Sequence, residues 1–243
     1  MARYGSADVG FVLFGGYDIR GTLTEIDTER EVVLEDTTTL GVADGTWAPV
    51  GLKRGAMSQR GFWDDATNSV HDMLVGLAQR IACIGVEGNT FGKKFTGWAG
   101  AITTKYRRLA SKGALHKAEA DYQVTGIVEE GIILHIDQSE SADPFTGTGH
   151  DDAAGTAQGG SGYLQVNGLT LGGFTNWIGK VRDSVDNVTY TDLITFTAVT
   201  AAPAAQRLTV AGVVKRWTRT EGDFTGAGSG QSVRFMMGFV RNT

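Results

Sequence analysis

The sequence predicts a mainly β protein, and three observations support this. The chain has 35 glycines and 3 prolines in 243 residues, and glycine at this frequency supplies tight turns between many short strands. Most apolar runs are short and rich in β-branched or aromatic residues, as in strands. The clearest alternation spans 117–125, where Ala118, Ala120, Tyr122 and Val124 occupy every second position. This period of two places one face of a strand in the core and the other in polar surroundings.

The first half of the chain is predicted to contain short strands and one flanking helix. The strands are expected at 11–14, 22–26, 31–34, 58–63, 80–86, 97–106, 117–128 and 132–136. The helix is expected at 68–78, because Val70, Met73, Leu74 and Leu77 follow the i, i+3, i+4, i+7 spacing of one buried face. A helix of about three turns needs tertiary packing to persist.

A long excursion rich in Gly, Pro and Thr separates the strand that ends near Asp36 from the strand at 58–63. Loops of this length usually either bind something or stay disordered until they do. We therefore expect an arm over 36–57 that is buried against a neighbouring molecule. Its contact residues are expected to be Leu40, Val42, Trp47, Pro49, Val50, Leu52 and Met57.

The second half is predicted to be a separate unit behind a linker. Residues 138–162 are mostly Ser, Thr, Gly, Ala and Asp, a composition typical of a flexible linker. Six strands are expected after it, at 163–169, 174–181, 193–199, 207–214, 216–220 and 232–240. Short strands with Gly turns indicate a small β-sandwich. The expected division is therefore 1–137, the linker 138–162, and a C-terminal sandwich at 163–243.

Charge and cysteine content exclude several classes of protein. The net charge is −5, so no basic field is available for general attraction to nucleic acid. Cys83 is the one cysteine, which excludes an internal disulfide framework and fits a reducing compartment. No apolar run reaches the length of a membrane span, and the N-terminus lacks a signal pattern. We expect a soluble protein made in a cytoplasm.

No residue pattern indicates catalysis, a metal site or a cofactor. The segment Gly88–Lys94 lacks the spacing and the Ser or Thr of a phosphate-binding loop. The four histidines are scattered, and none has metal-ligand spacing to another His or Cys. Trp177, Tyr190 and Trp217 have two interpretations, as a sugar-stacking platform or as core residues, and the core is favoured. We expect no enzyme.

Several short motifs resemble the major tail proteins, or tail tube proteins, of long-tailed bacteriophages. The resemblance covers about residues 8–137. Its motifs are Gly-Tyr-Asp-Ile (16–19), Glu-Asp-Thr-Thr-Thr-Leu-Gly (35–41), Pro-Val-Gly-Leu-Lys (49–53), Ser-Gln-Arg-Gly-Phe-Trp-Asp-Asp (58–65) and Ala-Glu-Ala-Asp-Tyr-Gln-Val-Thr-Gly (118–126). In addition, residues 184–193 are similar to carbohydrate-binding-like sandwich modules appended to phage tail proteins.

This resemblance implies a structural virion protein of the phage tail. Its fold would be a β-sandwich with one flanking helix, whose sheets join around a ring to line a lumen. The arm would pack between stacked rings, and the second domain would decorate the outside. Rings of six are implied, or of three if the second half joins the ring wall. Partners would be further copies, tail terminator, tail tip and tape measure proteins, with no membrane. The protein would be assembled in the cytoplasm of a bacterial host.

DNA would pass through such a tube only as cargo, so the lumen should offer few cations to phosphate. The polar faces of the paired strands are the expected lumen surface, with Thr103, Glu119, Asp121 and Gln123 facing it. Two other classes of protein remain open. One is a capsid decoration or head-tail connector protein, which would not need the arm. The other is a glycan-binding adhesin module, with its function in the second half.

Overall fold

The computed structural model of the protein describes residues 9–36 and 47–242. Within these ranges the first half contains one α-helix, α1 (Val70–Leu74), one short 3-10 helix (Arg20–Thr22), and eight strands: β1 (Phe11–Phe14), β2 (Tyr17–Asp18), β3 (Leu23–Asp36), β4 (Trp47–Phe62), β5 (Gln79–Gly85), β6 (Lys94–Leu109), β7 (Lys117–Val124) and β8 (Val128–Glu140). The second half contributes β9 (Phe145–Thr146), β10 (His150–Asp151), β11 (Gly160–Thr170), β12 (Asn176–Ser184), β13 (Thr191–Thr195), β14 (Ala204–Val210), β15 (Trp217–Thr225) and β16 (Ser232–Arg241). The prediction of a mainly β protein is confirmed. Across these described ranges, no helix is both long and apolar enough to cross a membrane.

The strands form two sheets, and the larger one runs through both halves of the sequence. Its order is β14-β11-β16-β8-β6-β5-β1-β2, with β7, β4 and β3 branching from β6. The smaller sheet has the order β10-β15-β12-β13, and β9 pairs with β15. The pairs within both sheets are antiparallel, as in the pairing of β16 with β8 and of β11 with β16.

The branch β3-β4-β7-β6 is a four-stranded sheet that presents one face to the core. Buried residues of β4 and β7 point inward, including Met57, Ala118, Ala120 and Tyr122. They pack against the apolar face of α1, whose Val70, Met73 and Leu74 are buried, and against Phe14, Ile19 and Trp98. The opposite face of this branch is polar.

The helix is shorter than predicted. It spans Val70–Leu74 rather than 68–78, and Leu77 lies outside it with a φ of 45° and half of its surface exposed. Gly76 directly precedes Leu77, and glycine disfavours helix continuation. The chain then enters β5 at Gln79. Three of the four residues predicted to face the core do so, and the fourth is turned out by the early helix end.

The larger sheet curls until its β1–β2 end approaches β11 and β14. The turn residue Gly16 has a φ of 87° and lies so close to Val166 and Ala204 that a side chain would overlap their backbone. The curl encloses a compact apolar core. Its buried members are Phe11, Leu13, Cys83, Phe95, Ile133, Tyr163, Met236 and Val240. This core draws on both halves of the sequence.

A second sandwich core lies between the smaller sheet and the outer face of β11, β14 and β16. Trp177 and Phe235, both fully buried with ring centroids 4.8 Å apart, are near its centre. A sandwich was expected over residues 163–243. Here the smaller sheet also includes β9 and β10, which precede residue 163, and the other sheet is the large sheet itself. The C-terminal strands are therefore shared with the first half.

The segment 138–162 differs from the predicted linker. It includes the end of β8, the short strands β9 and β10, and the start of β11. Asp151 accepts two hydrogen bonds from Arg216 at 2.7 and 2.6 Å, and Asp152 accepts one from Arg241 at 2.7 Å. Part of the segment is therefore strand, and Asp151 and Asp152 are held by ion pairs with residues near the C-terminus.

Candidate assembly surface

The outward face of the β3-β4-β7-β6 branch is polar because the alternation on β7 continues onto its neighbours. Glu119 lies between Arg60 of β4 and Arg107 of β6, and Asp121 lies between Ser58 and Lys105. Three of the four residues expected to face a lumen therefore lie on one exposed or partly exposed face, namely Glu119, Asp121 and Gln123.

The fourth, Thr103, is buried, with 3 % of its surface exposed, and its assignment to the polar face is wrong. The pairing register of β6 with β7 shifts between Thr103 and Lys105. A bulge of this kind places two residues of one strand opposite one residue of the other, which changes the face that follows. Thr103 pairs with Tyr122 on the core side, and Lys105 resumes the outward face. Sequence alternation on β6 does not reveal this extra residue.

The β7 carboxylates on this face are paired with cations. Glu119 lies 3.4 Å from Arg107 and 3.9 Å from Arg60, and Asp121 lies 3.4 Å from Lys105. These exposed ion pairs contribute little to stability, but they offset the negative charge expected of the face. The expected band of negative charge is therefore weaker at β7 than the sequence alone suggests.

The acidic side of the face is β3. Its outward residues are the four carboxylates Glu25, Asp27, Glu29 and Glu31. Among the described side chains, Glu25 forms an ion pair with Arg60 at 3.3 Å, and no ion pair involves Asp27 or Glu29. Our interpretation of the sequence did not include these residues. The signal was present, since the carboxylates recur at every second position from 25 to 31.

The branch has two free edges. In the described structure β3 pairs with β4 and with no other strand. At the opposite side, the last β5–β6 pair is Gln79 with Ile102, and beyond it the residues 103–109 pair with β7 alone. One free edge is acidic, and the other presents Lys105 and Arg107. Unpaired N–H and C=O groups along such edges are a template for another strand.

The predicted arm is largely a β-hairpin rather than a loop. Strands β3 and β4 pair from Leu23 with Gly61 out to Asp36 with Trp47. The last pair between β4 and β7 is Ala56 with Gln123. Beyond it, seven residues of β3 continue in a two-stranded ribbon, a length of about 20 Å. A lone two-stranded ribbon is at best marginally stable in water, and no other described strand pairs with this part of β3 and β4.

The structure places the predicted arm residues in three groups. Met57 belongs to the core, with 3 % of its surface exposed, and its assignment to the arm is wrong. The backbone of Trp47, Pro49, Val50 and Leu52 lies in β4. Leu40 and Val42 lie outside the described residues. The misassignment of Met57 arose because β4 extends further towards the N-terminus than the predicted strand.

The remaining candidate sites resolve as structural residues. Trp177 is fully buried and Tyr190 nearly so, which favours the core over a sugar platform. Cys83 is buried, and burial raises the pKa of its thiol to about 12, so it is not a nucleophile at neutral pH. Within the described part of the chain, no group of three or more His, Cys, Asp or Glu is arranged to hold a metal ion.

A buried ionic network joins the two halves and was not predicted. Arg207 of β14 donates two hydrogen bonds to Glu129 of β8, at 2.9 and 3.0 Å, and Glu129 also accepts from Tyr163 and Ser161 of β11. Burial opposes ionisation of Glu129, but these hydrogen bonds and the Arg207 charge lower its pKa overall. The network fixes β8, β11 and β14 together.

No protein-family model matches the chain, and no curated protein sequence matches it. Among solved structures, the fold is similar to a chain in the virion of a native gene transfer agent particle, with a TM-score of 0.41, 15 % identity, and coverage of 52 % of this chain and 97 % of that chain. It is similar to a chain in the C6-symmetric tail of an empty gene transfer agent particle, with a TM-score of 0.40, 14 % identity and coverage of 52 % and 97 %.

A third similar structure is the Dit protein of SPP1, which is described as a hub of the adsorption apparatus in phages that infect Gram-positive bacteria. Its TM-score is 0.37 at 8 % identity, over 94 % of this chain and 98 % of that chain. All three TM-scores are below 0.5, so the comparison describes a likeness of fold and assigns no function.

Proposed function

We propose that this protein is a structural subunit of a phage tail tube, which closes into rings through its sheet edges and stacks the rings through its arm. The observation that carries the proposal is the pair of free edges on the β3-β4-β7-β6 branch. One edge is β3, and the other is residues 103–109 of β6. Each edge needs a partner strand, and a neighbouring copy supplies one for each.

The strand directions suit such a joint. Because β3–β4, β4–β7 and β7–β6 are each antiparallel, β3 and β6 run in opposite directions. Rotation about an axis along the strands leaves their directions unchanged. When β3 of one copy lies beside β6 of the next, the new pair is therefore antiparallel, like the pairs within the subunit. A head-to-tail contact of this kind closes into a ring if the rotation closes.

The charges of the two edges also suit each other. The outward residues of β3 are carboxylates, and those at the free edge of β6 are Lys105 and Arg107. A joint would bring Asp27 and Glu29, which lack ion pairs among the described residues, near these cations. Complementary charge chiefly contributes specificity and register to an interface.

The expected number of copies in the ring depends on the number of such branches in each chain. The described structure contains one such four-stranded branch, so a ring of six copies is the simplest arrangement under the resemblance to tail tube proteins. The outward face would then line the lumen, and DNA would pass through it. Tail terminator, tail tip and tape measure proteins would be the other partners, and the virion tail the location.

Charge reversal at the β3 edge tests the ring contact. We expect the variant with Asp27→Lys and Glu29→Lys to remain folded and to sediment as a monomer, where the wild type forms a ring-sized species. The control carries the same charge change at Asp65→Lys and Glu87→Lys, away from both edges. It should assemble like the wild type. Normal assembly of the edge variant would contradict the proposed pairing of β3 with β6 of the next copy.

A further inference from the structure

The core beneath the β3-β4-β7-β6 branch is open at both edges of the sheet. Ile26 on β3 and Tyr106 on β6 pack against this core, and each remains partly exposed. The pairing registers place them at the two ends of one row across the sheet, through Gln59 of β4 and Ala120 of β7. Both of these middle residues are buried. One row on the core face therefore begins and ends with an apolar side chain that the subunit covers only in part.

The turn after α1 exposes further apolar side chains beside Tyr106. Val75 and Leu77 are 59 and 49 % exposed. Val75 caps the C-terminus of α1 four residues after His71, and residues four apart share one face of a helix. The Nδ1 of His71 and the hydroxyl of Tyr106 lie 3.0 Å apart in a hydrogen bond. Leu77 lies two residues before β5, which pairs with β6 only as far as residue 102. We refer to Tyr106, Val75 and Leu77, at the start of the free part of β6, as the edge surface.

Leu77 is an unusual residue for its position. Its φ is 45°, a left-handed conformation that is uncommon outside glycine and in which Asn and Asp are enriched. About half of the side chain is exposed. Neither the backbone conformation nor the exposure favours leucine in an isolated subunit, whereas an apolar contact with a partner accounts for the side chain.

The proposed joint would bring β3 of the next copy to this surface in a defined register. A rotation about an axis along the strands moves nothing along that axis, so each row of the branch meets the same row of the next copy. The row that ends in Lys105 begins with Asp27, and the row that ends in Arg107 begins with Glu25. Both contacts join opposite charges. Ile26 lies between these two carboxylates on the core face, where it would meet the other end of its own row.

The length of the free edge agrees with this register. The row that begins with Thr28 ends at Thr103, the first residue of β6 without a β5 partner. The next row begins with Glu29 and ends at Ile102, where β5 already pairs. It is also the last row in which β4 pairs with β7. The projecting ribbon would therefore leave the sheet where β5 of the next copy begins, and Thr28 would lie beside the turn after α1.

We propose that the edge surface of one copy receives the core face of β3 from the next copy in the same ring, with Ile26 against Tyr106 and Thr28 beside Leu77. The inference rests on the proposed function and adds an apolar layer beneath the hydrogen-bonded joint. The outer layer of charges contributes specificity and register, whereas the inner layer contributes affinity by removing apolar surface from water. Stacking between rings does not use this contact.

The first test removes the apolar part of the edge surface. Asn suits the left-handed conformation at position 77, so Val75→Ser with Leu77→Asn should unfold in urea at the wild-type midpoint or above it. We expect this variant to need at least about tenfold more protein to form rings in sedimentation, because two apolar side chains are no longer buried in the joint. The control, Val185→Ser with Val188→Asn, makes the same kind of change on the turn between β12 and β13, at sites 70 and 78 % exposed. It should assemble like the wild type.

Cysteine pairs provide a second readout that locates the contact. Cys83 is buried, so Thr28→Cys with Leu77→Cys supplies two accessible thiols. Within one subunit these positions lie at opposite edges of the four-stranded branch, at least about 14 Å apart, whereas across the joint they are neighbours. A bismaleimide shorter than that distance should convert the rings into a ladder of covalent oligomers on a denaturing gel. Thr28→Cys with Val188→Cys should give no ladder.

Two results would overturn the apolar layer and leave the sheet joint in place. One is ring formation by the Val75→Ser and Leu77→Asn variant at the wild-type concentration. The other is rings of the Thr28→Cys and Leu77→Cys variant that give no ladder. Absence of rings from the wild type would overturn the proposed function, and this contact with it.

Discussion

The side-chain amide of Gln165 hydrogen bonds to the backbone of Gly16, across 149 residues of sequence. Its Oε1 accepts from the Gly16 N–H at 2.7 Å, and its Nε2 donates to the carbonyl of Ile81 at 3.1 Å. Gln165 is fully buried. One side chain thus supplies the hydrogen bonds that a neighbouring strand would make, at the point where the large sheet curls back on itself.

Replacing Gln165 should therefore destabilise the whole protein. Gln165→Leu leaves the buried N–H of Gly16 without its partner, at a cost of about 1–3 kcal/mol, whereas the carbonyl of Ile81 still accepts from the Gly15 N–H at 2.8 Å. We expect the free energy of unfolding in urea to fall by about 1–3 kcal/mol. A loss of less than about 1 kcal/mol would mean that the curled sheet does not depend on this bridge.

Gln206 offers a matched control for this substitution. Its amide also makes two backbone hydrogen bonds, to the N–H and C=O of Thr197, both at 2.8 Å, but in an exposed position. Water can replace these bonds, so Gln206→Leu should have a much smaller effect than Gln165→Leu. Equal losses would contradict the role of burial.

The ion pair of Arg207 with Glu129 should make stability depend on pH in a variant that lacks the arginine. Removing one partner of a buried ion pair typically costs about 3–5 kcal/mol, and we expect this loss for Arg207→Met at pH 7. In the wild type the pKa of Glu129 is lowered, so its contribution is present at neutral pH and is lost as the pH falls through that pKa.

In the Arg207→Met variant the pKa shift of Glu129 on folding should have the opposite sign. Burial without the guanidinium raises the pKa of Glu129 in the folded state, and the protonated acid is then the favoured form. The gap between wild type and variant, measured by urea unfolding, should therefore narrow between pH 7 and pH 4. Arg216→Met, which removes an exposed pair with Asp151, should have a much smaller effect at both pH values. A pH-independent gap would contradict this assignment.

Shortening the hairpin should separate stacking from folding. Glu31 and Arg54 form a cross-strand pair, so replacing 32–53 with Asn-Gly joins the strands through a favoured two-residue turn. The shortened strands still include the segments that pair with β7. We expect a folded subunit that unfolds as cooperatively as the wild type and forms rings but no tubes. Tubes of normal length from this variant would exclude the arm as the contact between rings.

The local hydrophobic pattern predicted the positions of many strands, but it could not predict which strands pair when they are far apart in the sequence. The strand at 11–14 matches β1, and the alternation at 117–124 matches β7, because both depend on neighbouring residues alone. The composition of 138–162 suggested a linker, since the partners of Asp151 and Asp152, Arg216 and Arg241, lie more than 60 residues away. The continuity of the large sheet depends on contacts of that kind, such as the pairing of β16 with β8.

The candidate surface was predicted only in part, because the sequence shows the alternation within a strand but not bulges or strand ends. Glu119, Asp121 and Gln123 follow from the period of two on β7 and lie on the outward face. Thr103 was misplaced because a bulge on β6 interrupts the alternation, and Met57 because β4 begins eleven residues earlier than the predicted strand. The alternating carboxylates of β3 are visible in the sequence, but they indicate an assembly contact only once β3 is known to be a free edge.

Electron microscopy of the purified wild-type protein, negatively stained at high concentration, tests the central claim most directly. If sheet edges close the ring and arms join the rings, the micrographs will show annular particles and stacks of them with a stain-filled channel. The Asp27→Lys and Glu29→Lys variant will show neither. A wild-type field of isolated monomers, unchanged by added tail-tip seeds, would contradict the account.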